Sequence, residues 1–175
     1  MTVHAFADES YRGSTYLMAV ALVDPADLDV LRRRVRSLLL PGQRELHCFK
    51  ESAARRRLIV STLAGAGARA SVYSRQCHRR DQERARQGCL DRLVVDMLKA
   101  GTHRLVLDCR KERNHHDEAT IRSVLGSRPQ DSGLTYEHLD SAHELLLGVA
   151  DTVAWCYGAG GDWRRLAATH RAGHQ

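Results

Sequence analysis

Alternating apolar residues near the N-terminus predict that the chain opens with a β-hairpin. Over residues 3–7 every second position is small and apolar, which is the period of a strand. The apolar segment 15–23 (TYLMAVALV) predicts the second strand, with a turn at 11–14. The first strand is expected to end in two carboxylates, Asp8 and Glu9. Such acids can hold a metal where the core surrounds them, and they are otherwise simply solvated.

Helical spacing of apolar residues predicts three helices in the middle of the chain. They cover about 25–40, 52–64 and 81–100, and an alternating segment at 69–75 predicts a strand before the longest of them. The interiors of these helices are apolar on one side only, so each is expected to pack on a shared core.

Segment 103–109 (HRLVLDC) is apolar without alternation, which is typical of a strand buried on both faces of a parallel sheet. Asp108 stands at its end, where open α/β sheets place their ligands. Segment 134–139 predicts one further strand. The chain is therefore expected to be an α/β protein with an N-terminal antiparallel hairpin and parallel strands.

The last predicted helix, 142–157, is apolar nearly all round and is therefore expected to be buried nearly all round. It contains Asp151. No Lys or Arg occurs between Pro129 and Trp163, so no local ion pair explains this acid. An unpaired buried carboxylate is costly. We expect Asp151 to be protonated, paired with a distant group or bound to a metal.

Segment 45–49 (ELHCF) is predicted to be extended, which places Glu45 and His47 on one face. A Glu and a His side by side can bind a metal or share a proton. They can equally form an ordinary surface pair.

The composition, 43% hydrophobic and 27% charged over 175 residues, is typical of one globular domain. We assign 1–158 to this domain and 159–175 to a basic tail. No apolar run approaches the ~18 residues of a membrane span. The five cysteines form no C-x-x-C pair, which favours reduced thiols and a cytoplasmic location.

The formal net charge of +6 favours a polyanionic partner such as nucleic acid. An arginine-rich composition also occurs in proteins without such a partner. The candidate phosphate-binding residues are Arg79, Arg80, Arg84, Arg86, Arg110 and Lys111. Nucleotide-binding loops, the G-x-S-x-G motif and H-E-x-x-H are absent, which argues against kinases, dinucleotide enzymes, α/β-hydrolases and zincins.

Several acids are expected to gather where the predicted strands end. The candidates are Asp8, Glu45, Asp108 and Asp151. Glu9 and Glu51 compete with Glu45 for the fourth position, and Glu9 is also a candidate metal ligand. Clustered carboxylates repel one another unless a cation lies between them, and Mg²⁺ or Mn²⁺ suits such oxygen ligands. Two such ions can activate a water and stabilise the leaving oxygen of a phosphodiester.

Three short motifs resemble a large bacterial and phage family of unknown function with a D-E-S … A-D-L signature. They are ADES at 7–10, the Asp that ends a later apolar strand, and VAD at 149–151. That family is similar to the ribonuclease-H-like (integrase-like) fold, and the resemblance covers about 3–157. This chain departs from it at Gly148, where the family often has Gln, and at Thr152, where it often has Leu.

The resemblance implies a mixed sheet flanked by helices, with Asp8, Asp108 and Asp151 in the three acidic positions of that fold. Together with the acids it implies a metal-dependent nuclease acting on RNA or DNA, with His47 as a proton carrier or water positioner. One alternative is a binding module for nucleic acid or a protein partner that has lost catalysis. The other is a hydrolase of small phosphoesters.

Overall fold

The computed structural model describes residues 3–126 and 129–167 of the chain. Its strands are β1 (Val3–Arg12), β2 (Thr15–Val23), β3 (Arg69–Gln76), β4 (Thr102–Asp108) and β5 (Thr135–Leu139). Its helices are α1 (Leu28–Ser37), α2 (Ala53–Leu63), α3 (Gln82–Lys99), α4 (Asn114–Leu125), α5 (Leu147–Ala159) and α6 (Gly161–Ala167).

The strands form one five-stranded mixed sheet in the order β3-β2-β1-β4-β5. β2 is antiparallel to both β1 and β3, whereas β1, β4 and β5 run parallel. The hairpin turn lies at Gly13, whose positive φ of 57° favours glycine. The predicted α/β class, with an antiparallel hairpin beside parallel strands, is confirmed.

Each face of the sheet has its own core because side chains alternate along a strand. Phe6 and Val106 belong to the core with α1, α2 and α5. Ala5, Ala7 and Leu107 belong to the core with α3 and α4. The parity of a residue on β1 or β4 therefore decides which helical layer its side chain meets.

Three predicted features differ in part from the structure. Segment 45–49 forms no strand, although the backbone of His47 is extended. It leads into a 3-10 turn at Cys48–Lys50, because the backbone N–H of Cys48 is bonded to a side chain of α5 instead of a neighbouring strand. The last long helix begins at Leu147 and not at 142, because residues 140–146 form turns in which the Asp140 carboxylate accepts from the Ala142 N–H. β1 also continues to Arg12, beyond its predicted end near Asp8.

The predicted basic tail begins with a packed helix. Trp163 of α6 meets the ring of Trp155 edge-on at 5.2 Å between centroids, and Ala167 is buried. The rest of the predicted tail, 168–175, lies outside the described residues. Within the described ranges, no helix is long and apolar enough to cross a membrane.

Candidate active site

Asp8 and Asp108 occupy neighbouring positions on two parallel strands. The last pair in the β1–β4 register is Ala7 with Leu107, so the next residue on each strand is an aspartate. Adjacent strands lie ~4.8 Å apart, and residues in register face the same side of a sheet. That side is the one on which α5 packs, since Phe6 and Val106 lie two positions earlier on the same strands. The fold therefore brings the two carboxylates together beneath α5.

The electrostatics of both acids reflect this crowding. The pKa of Asp8 lies well above its usual range, through burial first and then through the charges of Glu9, Asp151 and Asp108. Burial, followed by the charges of Glu9 and Asp140, raises the pKa of Asp108 to about 6. Negative charge is thus unfavourable at this edge of the sheet in the absence of a cation.

Asp151 is 6% exposed, as predicted for an acid in the last long helix. Its Oδ2 accepts a hydrogen bond from the Cys48 backbone N–H at 2.7 Å, and its Oδ1 lies 3.1 Å from Nδ1 of His47. That bond is the main reason why the pKa of His47 is raised. Of the three expectations for this acid, the structure shows pairing with distant groups.

Glu45 lies beside this pair and contributes to the raised pKa of Asp108. It accepts a hydrogen bond from the Ser141 hydroxyl at 2.5 Å, and Lys50 Nζ is 3.6 Å away. A cavity of about 310 Å³ is lined by Glu45, His47 and Lys50. Glu51, the competitor of Glu45, is 7% exposed and accepts hydrogen bonds from Arg55 and Gln43.

The carboxylate of Glu9 is bound to Arg86, which corrects its prediction as a metal ligand, although its charge still raises the pKa of Asp8 and Asp108. By the alternation of β1 its side chain faces the α3 layer, where it is hydrogen-bonded to Arg86. Arg86 is 1% exposed, and Nε and Nη2 each donate to Asp117 at 2.8 Å. A guanidinium buried between two carboxylates is not free to contact a phosphate, so the prediction for Arg86 is also corrected.

The other predicted phosphate-binding residues divide into two groups. Arg110 is bonded to Glu83 and Asp117, with only 15% of its side chain exposed, so it serves the buried ion network. The exposed members are Arg79, Arg80, Arg84 and Lys111.

Carboxylate oxygens suit Mg²⁺ and Mn²⁺, and Mg²⁺ commonly binds one or two carboxylates and keeps several waters. Asp8 and Asp108 fit that donor set. Within residues 3–126 and 129–167, however, no group of three or more His, Cys, Asp or Glu side chains is arranged to hold a metal ion.

The sequence matches no protein-family model and no curated protein. Among solved structures, it is similar to the ribonuclease HII of a PCNA:RNase HII complex from Archaeoglobus fulgidus, with a TM-score of 0.58 and 15% identity. The match covers 90% of this chain and 73% of that one. The fold is ribonuclease-H-like. At this identity the likeness extends to the fold alone, and the D-E-S … A-D-L family stays a prediction.

Sequence reasoning missed the buried ion network of Arg86 and Asp117, although the sequence carries a signal for it. Arg86 falls on the apolar stripe of α3, one turn before Cys89 and Leu90. Asp117 is 0% exposed and lies one turn before the buried Ile121 of α4. Two opposite charges on the buried faces of two helices predict that the helices pack together through that pair.

Proposed function

We propose that this protein is a divalent-metal-dependent nuclease that hydrolyses phosphodiester bonds in RNA or DNA. The observation that carries the proposal is that Asp8 and Asp108 directly follow the last paired residues of the parallel strands β1 and β4. They therefore lie side by side and face the same side of the sheet. Burial and neighbouring negative charges raise the pKa of both acids, so binding a cation there would be favoured.

In this proposal Asp8 and Asp108 hold Mg²⁺ or Mn²⁺, and a bound ion supplies an activated water and stabilises the leaving oxygen. Asp151 fixes the ring of His47 through Nδ1, which leaves Nε2 able to exchange protons. His47 then carries a proton to or from the reacting phosphate. Glu45, across the same cavity, holds Lys50 close to this position.

The surface beside His47 suits a nucleic acid better than a small ester. Phe49 is 71% exposed in the turn that follows His47, and Lys50 is next to it. An exposed ring can stack on a base, and a neighbouring ammonium can meet a phosphate. A small phosphoester has no base that could stack on Phe49, and it offers Lys50 only its own phosphate.

Cleavage of end-labelled single-stranded and duplex RNA and DNA in Mg²⁺ or Mn²⁺ tests this function. Asp8→Asn and Asp108→Asn should each lower the rate by about 10²–10³-fold, the scale of several kcal/mol of charge stabilisation. Asp29→Asn, at an exposed position of α1, is the matched control and should cleave normally.

Three results would contradict the proposal in different ways. Metal-independent cleavage, or cleavage unaffected by both aspartate variants, would exclude this metal site. Tight binding of oligonucleotides without cleavage would favour the binding module. Release of phosphate from mononucleotides but not from polymers would favour the small-phosphoester hydrolase.

A further inference from the structure

A basic groove lies on the face of the sheet opposite Asp8 and Asp108. Arg75 on β3 pairs with Tyr16 on β2, and the Tyr16 hydroxyl accepts from the buried Arg86 of α3. Arg75 therefore faces the α3 layer. Two adjoining cavities of about 590 and 510 Å³ open here, and both are lined by Arg75 and Arg84.

The side chains of the two arginines of this groove are exposed to solvent. Within the described ranges, neither Arg75 nor Arg84 forms a salt bridge or a side-chain hydrogen bond. By contrast, Arg86, two residues beyond Arg84 on the same helix, is fully engaged by carboxylates. The groove contains two acids: Asp81 lies 3.8 Å from Arg80, and Asp91 lines the far cavity. The two cavities share Arg75 and Arg84, so these arginines count once against the two acids, and the groove is positive only because Arg80 offsets Asp81.

Gly88 makes room for one of these guanidinium groups. A Cβ atom at this helical position would lie 2.5 Å from Cζ of Arg75, so any side chain here would displace the guanidinium. The glycine does not have a positive φ, so the backbone does not require it. The space over α3 is therefore occupied by a guanidinium that has no hydrogen-bond or salt-bridge partner among the described residues.

The remaining lining supplies hydrogen-bond donors of the kind that phosphates use. His78 lines the cavity near the hairpin turn, and His116 and Ser123 line the cavity near α4. The hydroxyls of Ser14 and Thr120 also line these cavities but already donate to Gln76 and to the His116 carbonyl. Two guanidinium groups among such donors are typical of a backbone-phosphate contact surface.

We propose that this groove, defined by Arg75, Arg84 and Gly88, binds the phosphate backbone of a nucleic acid away from the acid cluster. The proposal rests on the proposed nuclease function for the identity of the anion. β3 runs in the same direction as β1, so the groove and the carboxylates open at the same end of the sheet. One strand can reach both by crossing the end of the sheet near the hairpin turn.

The sheet geometry sets a minimum length for that strand. Through the register, Arg75 is level with Tyr11, two strands away from β1 and three residues beyond Asp8. Strand spacing and rise place the two backbones about 14 Å apart. At an axial rise of ~3.4 Å per nucleotide, a helical strand needs about four nucleotides to span this distance. The groove should therefore act on oligomers and not on dinucleotides.

Fluorescence anisotropy with labelled oligouridylate and oligodeoxythymidylate of two, four, eight and sixteen nucleotides, in EDTA, tests the groove without cleavage. Arg75→Ala/Arg84→Ala should weaken binding of the sixteen-mer at least about tenfold. It should also make the negative slope of log K against log salt shallower by about 1.4, the value for two phosphate contacts on a single strand. Dinucleotide binding should not change.

Two further variants separate the groove from general charge and from folding. Gly88→Ala should weaken sixteen-mer binding while the urea midpoint stays unchanged or rises, because alanine favours the helix and only a flexible side chain must move. Arg69→Ala removes the same charge from the same face of β3 about 20 Å away and should bind like the wild type.

The groove proposal would be overturned if both Arg75→Ala/Arg84→Ala and Gly88→Ala kept the wild-type affinity and salt slope. It would also be overturned if Arg69→Ala lost as much affinity for the sixteen-mer. If oligomers are cleaved but these variants bind normally, only the groove fails. If the variants lose binding but no cleavage occurs under any metal, the groove stands and the nuclease function fails.

Discussion

Nδ1 of His47 lies 3.1 Å from Oδ1 of Asp151, which joins a turn before α2 to a buried helix 104 residues later. The other oxygen of Asp151 accepts the Cys48 N–H, so the acid holds both the ring and the backbone of this turn. The single side chain of Asp151 therefore anchors the turn that carries His47 to the core.

His47→Ala should lower stability more in mild acid than in alkali. The pKa of His47 is raised in the folded state, mainly by the bond to Asp151. The stabilisation is thus complete below the unfolded pKa of ~6.5 and is lost as the pH rises through the higher folded value. Urea unfolding of wild type and variant at pH 5.5 and pH 9 measures this. His143→Ala, at an exposed position, is the control, and an equal difference at both pH values would contradict the assignment.

Asp151→Ala should destabilise the protein by about 1–3 kcal/mol, because the buried N–H of Cys48 loses its acceptor. Asp151→Asn keeps an oxygen in place and should cost less. If Asp151 faced only other acids, its neutralisation would relieve repulsion and stabilise the protein. Because Asp151 accepts these hydrogen bonds, neither variant is expected to gain stability. Thermal unfolding of the two variants compares them, and equal losses would show that the Cys48 bond contributes little.

Arg86→Met should destabilise the protein by about 3–5 kcal/mol, because Asp117 and Glu9 would keep their charges without a partner. Arg84→Met, at an exposed position on the same helix, should change stability by less than about 0.5 kcal/mol. Chemical denaturation at pH 7 gives both values. Similar small effects would mean that Arg110 and His138, which also contact Asp117, compensate for the loss.

Asp108→Asn should stabilise the metal-free protein at neutral pH by on the order of 1 kcal/mol. The folded pKa of about 6 exceeds the usual 3.8, so the native state holds more protons between these values and stability falls as the pH rises through that window. The gain should vanish below about pH 4. Mg²⁺ or Mn²⁺ should raise the Tm of the wild type more than that of the variant. A gain independent of pH, or equal metal shifts, would contradict this.

Gly148→Ala should destabilise α5, although alanine favours a helix by up to ~1 kcal/mol. A Cβ at this position would lie 3.0 Å from Cβ of Leu46, which is held in the core, and overpacking costs about 1–3 kcal/mol. Gly88→Ala, where only the end of Arg75 must move, is the matched helical control and should be neutral or stabilising. A stabilising Gly148→Ala would show that segment 45–47 is free to shift.

Prediction from the sequence was most successful where a segment's own pattern decides its structure. The bounds of β2 match the predicted 15–23, and Ser52 caps α2 where a helix was expected to begin. It was less successful at segment 45–49, where a hydrogen bond to the distant Asp151 replaces the local pattern, and at the start of α5, where the Asp140 carboxylate bonds the backbone two residues later. A short mixed segment has too few apolar positions to define a period.

Apolar periodicity was enough to predict that Asp8, Asp108 and Asp151 stand at the ends or interiors of buried elements, because such periodicity reports burial. The group that each acid meets depends instead on how the strands and helices pack. Side-chain parity on β1 turned Asp8 towards α5 and Glu9 towards Arg86, and a shift of one residue would have exchanged them. In the same way, Arg84 and Arg86 are equivalent in composition, but the 100° turn per helical residue left one in solvent and buried the other between carboxylates.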